Sequence, residues 1–379
     1  MIRVLFVSNG HGEIAIAERI AHEAVALSAV PLGLDHLPLV GEPSPGTLAV
    51  VGPRRTMPSG GLVAMGNVAA FARDLGAGFV ALAVSQVRFL RSEGRRYDCV
   101  VAVGDVYAFA LARLARRPTI AVGTAKSVSV APYGPFERTL LSRAARVFVR
   151  DPATAAHLRA RGVAADAPGN VIVDLADDAP PPPAGLRDAS VIGVLPGSRE
   201  AAYNDAVRLC AVIRALGERP GGTRALLSIA PKLTAGRFAR ALSDDGWTIE
   251  ETGDDVSPFR ARAGNAEVVA WRGALGTLLC ASRLVLGLAG TANEQAAAAG
   301  LPVVVLDVGD EWYRMRQRRL LGDALAFAPV QPARAAQTIT ELLGDEDRLA
   351  RMRAAGRERM GPPGGSRVIA AAILEVAGA

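Results

Sequence analysis

Short apolar runs alternate with longer alanine-rich stretches along most of this chain. The runs are rich in Val, Ile and Leu, as buried strands are, and the stretches between them are long enough to form helices. The apolar runs are residues 2–7, 99–104, 119–123, 146–150, 191–197, 225–231, 267–271, 283–290 and 303–307, and in two of them the strand itself is predicted to end earlier, at Leu195 and at residue 288. This alternation is typical of βαβ units, so the pattern predicts an α/β protein with mostly parallel sheets.

Four consecutive prolines, Pro180–Pro183, interrupt the pattern near the middle of the chain. Consecutive prolines end helices and central strands, and they form a stiff extended spacer. We therefore predict a doubly wound domain at 1–175, a linker at 176–189 and a second doubly wound domain at 190–345. Residues 346–379 are predicted to be helical, with the last helix packing back on the first domain.

Residues 57–96 combine apolar side chains with a cluster of arginines. Two helices are predicted there, at about 61–75 and 77–92, and Arg88 and Arg91 lie among bulky apolar residues of the second. An interfacial membrane-binding surface requires this combination. Buried helices with a solvated basic end explain the same pattern, and the sequence leaves both interpretations open.

The composition adds little to this picture. The formal net charge of +6 comes almost wholly from arginine, since Lys126 and Lys232 are the only lysines. An anionic ligand, a membrane surface or a genomic bias towards arginine explains this excess, and we expect no nucleic-acid partner. The three cysteines are far apart and predict neither a disulfide framework nor a zinc site. Without a predicted signal peptide or membrane span, we expect a cytoplasmic protein, peripheral on the inner face of the cell membrane if 57–96 binds lipid.

The segment VIGVLPGSRE, residues 191–200, carries the strongest local signal. The strand is predicted to end before a tight turn at Gly197, which leaves Ser198 and Arg199 at the start of a helix. Backbone N–H groups, a hydroxyl and a guanidinium at a helix start suit a phosphate group. An ordinary turn with a surface arginine is the alternative.

The segment GLAGTANEQ, residues 287–295, repeats this strand–turn–helix arrangement. Gly290 lets a ligand approach the backbone, and Thr291, Asn293 and Glu294 begin the next helix. The T-x-x-E spacing also fits a capping box, in which Thr291 and Glu294 satisfy each other's backbone donors. Because open α/β sheets bind ligands at the carboxyl ends of their strands, two such turns favour a nucleotide site, with Glu294 accepting from a ribose diol.

Candidate catalytic groups follow the strands of the first half. The first strand runs into SNGHGE, where Gly10 and Gly12 frame His11 and precede Glu13. His11 or Glu13 is a candidate general base for a sugar hydroxyl, and a capping loop with a surface histidine is the alternative. Asp105, at the end of a further strand, is another catalytic candidate. The acceptor-side candidates are Gly10, Gly12, Thr124, Lys126 and Ser127.

No metal site or coenzyme motif is predicted. The acidic triplet Asp345–Asp347 precedes a helix, where it favours the helix N-terminus. No nucleophile elbow or P-loop is present, and the glycine spacing does not fit the dinucleotide fingerprint.

The segments LPGSRE and GTANEQAAAAGLPVVVLD together resemble the lipid-A-disaccharide synthase-related family of GT-B glycosyltransferases. Synthases of that kind carry a similar LPGSR turn and an S-G-T-x-x-x-E helix followed by a G-x-P strand. Here Ala289 stands in place of the serine, and Glu294 comes one position earlier than the synthase carboxylate. The synthase signature G-E-x-S-G-D near the N-terminus is replaced by NGHGE, residues 9–13.

The resemblance implies a GT-B fold, with two Rossmann-like domains facing a central cleft. It implies an inverting, metal-independent transferase that moves a sugar from a UDP-sugar to a lipid-linked or membrane-proximal acceptor, without a cofactor. The implied nucleotide-sugar residues are Gly197, Ser198, Arg199, Gly290, Thr291, Asn293 and Glu294, and the implied base is one of His11, Glu13 and Asp105.

Two alternatives remain open. A UDP-N-acetylhexosamine 2-epimerase shares this architecture and a comparable GN…D segment, here Gly169–Asn170 to Asp174. A GT-B protein that binds a nucleotide or lipid without catalysis is the other, and the substituted NGHGE loop supports it.

Overall fold

A computed structural model describes residues 1–41, 46–55, 57, 74–124, 126–175, 179–182, 191–219 and 221–378. The chain forms two compact units: unit 1 comprises Met1–Leu175 and Pro362–Ala379, and unit 2 comprises Ala176–Gly361. The predicted helix at 61–75 and the predicted linker at 176–189 lie mostly outside the described residues, and the side chain of His11 lies outside them altogether.

Strands and helices alternate in both units. The strands are β1 (Ile2–Asn9), β2 (Leu32–Val40), β3 (Ala49–Val50), β4 (Cys99–Gly104), β5 (Thr119–Gly123), β6 (Arg146–Val149), β7 (Val191–Leu195), β8 (Thr223–Ser228), β9 (Thr248–Glu251), β10 (Phe259–Ala263), β11 (Ala266–Trp271), β12 (Ser282–Gly287), β13 (Val303–Asp307) and β14 (Leu325–Pro329). The α-helices are α1 (His11–Leu27), α2 (Phe79–Glu93), α3 (Val106–Ala112), α4 (Pro135–Leu141), α5 (Pro152–Arg159), α6 (Val171–Asp174), α7 (Ala202–Gly217), α8 (Ala235–Asp244), α9 (Leu275–Ala281), α10 (Thr291–Ala298), α11 (Glu311–Leu321), α12 (Pro332–Leu343), α13 (Glu346–Met360) and α14 (Gly365–Ala377). Among the described helices, none has the length and apolar content that crossing a membrane requires.

Unit 1 is built on a parallel sheet of order β3-β2-β1-β4-β5-β6. Successive residues of β1 enter opposite cores, because side chains alternate between the two faces of a strand. Val4 and Phe6 pack with α1 and α14, whereas Leu5 and Val7 belong to the cluster on the other face. Burial on both faces explains why these strands are continuous apolar runs in the sequence.

Unit 2 has an eight-stranded mixed sheet of order β14-β13-β12-β7-β8-β11-β10-β9. The strands from β14 to β11 are parallel, and β10 and β9 add antiparallel neighbours at one edge. The prediction of two α/β domains with mostly parallel sheets is therefore confirmed, although the strands β2, β3, β9, β10 and β14 were not predicted. In β10, Phe259 and Ala261 are buried while Arg260 and Arg262 are exposed, so this strand lacks a continuous apolar run.

The C-terminal helix belongs to unit 1 and is fixed there by a buried carboxylate. Asp174, at the end of α6, accepts hydrogen bonds from the N–H groups of Gly364 (2.6 Å), the residue before α14, and Ser366 (2.7 Å), in the first turn of α14. A Cβ on Gly365 would lie 2.5 Å from the carbonyl oxygen of Gly169, so this approach requires glycine. The GN…D segment that suggested an epimerase thus has a structural role, in which Asn170 also caps α6.

Strand β2 carries a histidine in the core of unit 1. His36 is fully buried, and its Nε2 lies 2.8 Å from Oγ of Ser8 on the neighbouring β1. Burial lowers the pKa of His36 to about 4. The imidazole is therefore neutral in the folded protein at neutral pH.

We expect mild acidification to destabilise the protein, because His36 must stay neutral in the folded state. Its ordinary pKa is 6.5, so as the pH falls from there towards about 4 the unfolded chain binds more protons than the folded one. The free energy of unfolding should drop by about 3 kcal/mol across this window. Denaturant titrations of the wild type and His36→Gln, with the exposed His22→Gln as control, measure the contribution. An unchanged pH dependence in His36→Gln would contradict it.

We expect Asp174→Asn to lower the free energy of unfolding by about 2 kcal/mol, because two charge-assisted hydrogen bonds to a helix start are weakened. Asp166→Asn is the matched control, since the side chain of Asp166 is 71% exposed. Chemical denaturation compares the two variants, and equal stability of both would show that the buried carboxylate does not hold α14.

Candidate functional site

The candidate site of unit 2 lies at the carboxyl ends of the neighbouring strands β7 and β12. Gly287 of β12 is paired in register with Leu195 of β7. Beyond the strands, the N–H groups of Leu288 (2.9 Å) and Ala289 (3.1 Å) both donate to the carbonyl oxygen of Leu195. These bonds hold the turns after the two strands side by side.

The first turn leaves its backbone open. Gly197 has φ +109°, a conformation that favours glycine, and Ser198 and Arg199 are exposed. The predicted helix start at Ser198 is wrong: α7 begins at Ala202, after a turn in which the Ala202 N–H donates to the carbonyl of Arg199. The N–H groups of Ser198 and Arg199 make no hydrogen bond to another described residue, so they remain available to an anion.

The second turn leads directly into α10. Gly290 is the residue before this helix, Thr291 is its first residue, and no side chain caps it. The capping-box alternative is therefore wrong, because Thr291 stands one position too late to cap. Within the described chain the Thr291 N–H has no hydrogen-bond partner, as is usual for a first helical turn. We call the two turns, Gly197–Arg199 and Ala289–Thr291, the cradle.

A buried polar cluster supports the cradle from behind. The hydroxyl of Tyr313, on α11, donates to the carbonyl of Ala289 (2.9 Å) and accepts from Nδ2 of Asn293 (3.4 Å). Asn293 also donates to Gln317, and a Cβ on Gly287 would lie 2.3 Å from its Oδ1. Burial raises the pKa of Tyr313, which keeps the hydroxyl protonated.

The side chain of Asn293 is fully buried in this cluster, where it joins α10 to α11 behind the cradle. The nucleotide-sugar contact predicted for Asn293 stays a prediction. The sequence showed its position in the first helical turn but not the direction of its side chain.

Arg316 is a candidate that the sequence analysis missed. Its Nη2 lies 3.6 Å from Oε1 of Glu294, and a Cβ on Gly290 would lie 3.9 Å from its Nη1. Glu294 is only 2% exposed. The ribose contact predicted for Glu294 stays a prediction, and its partner in this structure is an arginine from the next helix. In the sequence, Arg316 is one of four arginines between positions 314 and 319, and no spacing distinguishes it from the others.

In unit 1, Glu13 and Thr124 lie together beyond β1 and β5. Gly10 precedes α1 with φ +126°, and a Cβ there would lie 2.7 Å from Oε2 of Glu13. Thr124 donates from Oγ1 to Oε1 of Glu13 at 3.4 Å. Gly12 lies in the first turn of α1. The glycine turn thus gives the Glu13 carboxylate the space it occupies.

Asp105 follows β4, the strand between β1 and β5. It caps α3 by accepting from the Ala108 N–H (3.1 Å), and its other oxygen accepts from Nδ2 of Asn9 (3.2 Å). Burial raises the pKa of Asp105. Asn9 is a second missed residue. Its position at the end of β1 could have indicated that it lies near Asp105, because neighbouring parallel strands end at the same edge of a sheet.

Lys126 and Ser127 serve the loop that carries them. The Lys126 ammonium lies 2.6 Å from the carboxylate of Glu137 on α4. Ser127 is buried, and its Oγ accepts from the N–H of Ser129 (3.2 Å). Their predicted acceptor role stays a prediction. Among the described residues, no three His, Cys, Asp or Glu side chains are grouped to hold a metal ion.

No protein-family model matches this sequence, and no curated protein sequence matches it. Solved structures do match. UDP-GlcNAc 2-epimerase from Neisseria meningitidis bound to UDP-GlcNAc is 14% identical over 99% of this chain and 100% of that chain, with a TM-score of 0.59. Acinetobacter baumannii MurG is 16% identical over 99% and 100%, with a TM-score of 0.56. Phytolacca americana UGT2, complexed with UDP-2-fluoro-glucose and pterostilbene, is 13% identical over 100% of both chains, with a TM-score of 0.59.

These neighbours include epimerases and glycosyltransferases that share one architecture. At such low identity the likeness shows the fold alone, because GT-B folds support several reactions. The chain has the two-unit α/β fold of the GT-B nucleotide-sugar enzymes.

Proposed function

We propose that this protein is an inverting glycosyltransferase that transfers a sugar from a UDP-sugar to a lipid-linked or membrane-proximal acceptor. The observation that carries the proposal is the cradle, in which two backbone turns with open N–H groups lie side by side next to Arg199 and Arg316. Such a set of donors suits the diphosphate of a nucleotide sugar.

The reaction is a single displacement at the anomeric carbon. A base takes the proton of the acceptor hydroxyl, the acceptor oxygen bonds to the anomeric carbon, and the bond from that carbon to the β-phosphate oxygen breaks. Negative charge grows on the departing diphosphate, and donors already in place stabilise it without reorganisation. In the proposal, Arg199 and the N–H groups of the cradle supply this stabilisation, so the proposed reaction requires no metal ion.

Asp105 is the base that the geometry supports best. Its carboxylate lies at the carboxyl edge of the unit 1 sheet, with one oxygen shared with Ala108 and the other with Asn9. The pKa raised by burial makes this carboxylate a stronger proton acceptor than an exposed one. Glu13, with Thr124 as its neighbour, is the second choice.

The surface of α2 supports a lipid-linked acceptor. Val80 is 58% exposed and Val84 45% exposed, and Arg88 and Arg91 are exposed on the same side of the helix. Apolar side chains with arginines on one helix face suit a membrane with anionic lipids. An enzyme that acts only on a water-soluble nucleotide sugar has no need of this surface.

A UDP-N-acetylhexosamine 2-epimerase is the second candidate, favoured by the structural likeness to such epimerases. Incubation with UDP-N-acetylglucosamine alone separates the two, because an epimerase forms the C2 epimer without an acceptor and NMR detects it. Nucleotide binding with neither epimer nor transfer product would indicate a protein that binds without catalysis.

We expect Arg199→Ala to lower transfer from a UDP-sugar by about 100-fold, because a cation at the departing diphosphate is lost. Arg208→Ala, an exposed arginine of α7 paired with Asp205, is the matched control. Turnover is measured as UDP release in the presence of membrane-lipid extract, after a panel of UDP-sugars has identified the donor. Full activity of Arg199→Ala would remove this residue from the mechanism.

We expect Asp105→Asn to lower turnover by at least about 100-fold while UDP affinity stays unchanged. Asparagine also caps helices, so the cap of α3 survives the change. Asp151→Asn, at the cap of α5, is the control for altering a capping residue in the same unit. In the wild type, turnover should fall as the pH drops through a pKa above the ordinary value for Asp, since only the carboxylate accepts a proton. If Glu13→Gln is inactive and Asp105→Asn is active, the assignment of the base is reversed.

A further inference from the structure

Arg316 differs from the other arginines of α11 in what it contacts. It lies between the nearly buried carboxylate of Glu294 and the backbone at Gly290, with one guanidinium nitrogen towards each. Arg314, two residues earlier, is 42% exposed and pairs with Asp307 at the surface, whereas Arg316 is 22% exposed. The two arginines thus share a helix but not an environment.

The helix that carries Arg316 is fixed relative to the cradle. Asp310 caps α11 by accepting from the Tyr313 N–H (2.9 Å), and the Tyr313 hydroxyl donates to the carbonyl of Ala289. Arg316 follows Tyr313 by one helical turn. Its guanidinium is therefore held close to the turn that leads into α10.

The charge of Glu294 is unfavourable for an anion site unless it is neutralised. Its carboxylate lies in the first turn of α10, close to where a phosphate would meet the N–H groups. A guanidinium offers several N–H donors in a planar fork, so it can pair with a carboxylate on one edge and a phosphate on another. Lysine has one ammonium and cannot hold both partners in this way.

On the basis of the nucleotide site proposed above, we infer that Arg316 binds the diphosphate directly and that Glu294 is a positioning residue that orients Arg316 towards Gly290. This role differs from the ribose contact expected from the sequence. In this arrangement Glu294 contributes to phosphate affinity through the arginine, and its own contact with the nucleotide is not required.

The test measures binding of UDP, UMP and inorganic pyrophosphate by calorimetry to the full chain. The variants are Arg316→Ala, Arg316→Lys, Glu294→Gln and the double variant, with Arg314→Ala as the matched control. Thermal unfolding without ligand shows whether each variant is folded. The ratio of UDP to UMP affinity isolates the contact with the second phosphate, which a purely structural role would not change.

We expect Arg316→Ala to weaken UDP and pyrophosphate binding by about 10- to 100-fold and UMP binding less, with Arg316→Lys intermediate and Arg314→Ala unchanged. Glu294→Gln should weaken UDP binding by a smaller factor. The double variant should bind UDP no more weakly than Arg316→Ala does, because both substitutions act on the same contact between Arg316 and the diphosphate.

Three results would overturn the inference. The first is an Arg316→Ala variant that binds UDP as tightly as Arg314→Ala does. The second is an equal loss of UDP affinity and UMP affinity in Arg316→Ala. The third is a double variant in which the losses of the two single variants add. If the wild type binds pyrophosphate but not UDP, the proposed function fails while Arg316 is still tested with pyrophosphate. If it binds neither, both are wrong.

Discussion

Two hydrogen bonds to one carbonyl group, that of Leu195 at the end of β7, determine the geometry of the candidate site. They come from the N–H groups of Leu288 and Ala289, and they bring the turn after β12 against the turn after β7. A Cβ on Gly197 would lie 3.9 Å from the Cα of Ala289, so a methyl group there would be in ordinary van der Waals contact with the second turn. Without this contact each turn would be an ordinary strand–helix connection with a few open N–H groups. Together they place backbone donors from two turns side by side, as the proposed contact with one anion requires.

The candidate groups of the two units differ in charge. Unit 2 concentrates donors and cations, namely the cradle with Arg199 and Arg316, which suit a phosphate group. Unit 1 concentrates carboxylates at the carboxyl edge of its sheet, where Asp105 and Glu13 follow adjacent strands and lie among glycines and hydroxyls. A transferase requires both kinds of site, one to stabilise a leaving group and one to accept a proton. A protein that only bound a nucleotide would require the first alone.

The sequence predicted the fold to the extent that burial leaves a continuous apolar run. Strands such as β7 are covered on both faces and were found, whereas β10 alternates buried and arginine residues and was missed. Ser198, Arg199 and Thr291 lie in the turns after β7 and β12, where their positions along the chain led us to expect them, and their contact with a ligand stays a prediction. Side-chain direction was not predictable from spacing. It depends on how the successive helices α10 and α11 pack together, which buries Asn293 and brings Arg316 to Gly290.

The central claim is that the cradle binds the diphosphate of a uridine nucleotide. A crystal structure of the protein soaked with UDP tests it most directly. We expect the two phosphates within hydrogen-bond distance of the N–H groups of Ser198, Arg199 and Thr291. UDP bound elsewhere on the protein, or a cradle that stays empty at saturating UDP, would contradict the claim.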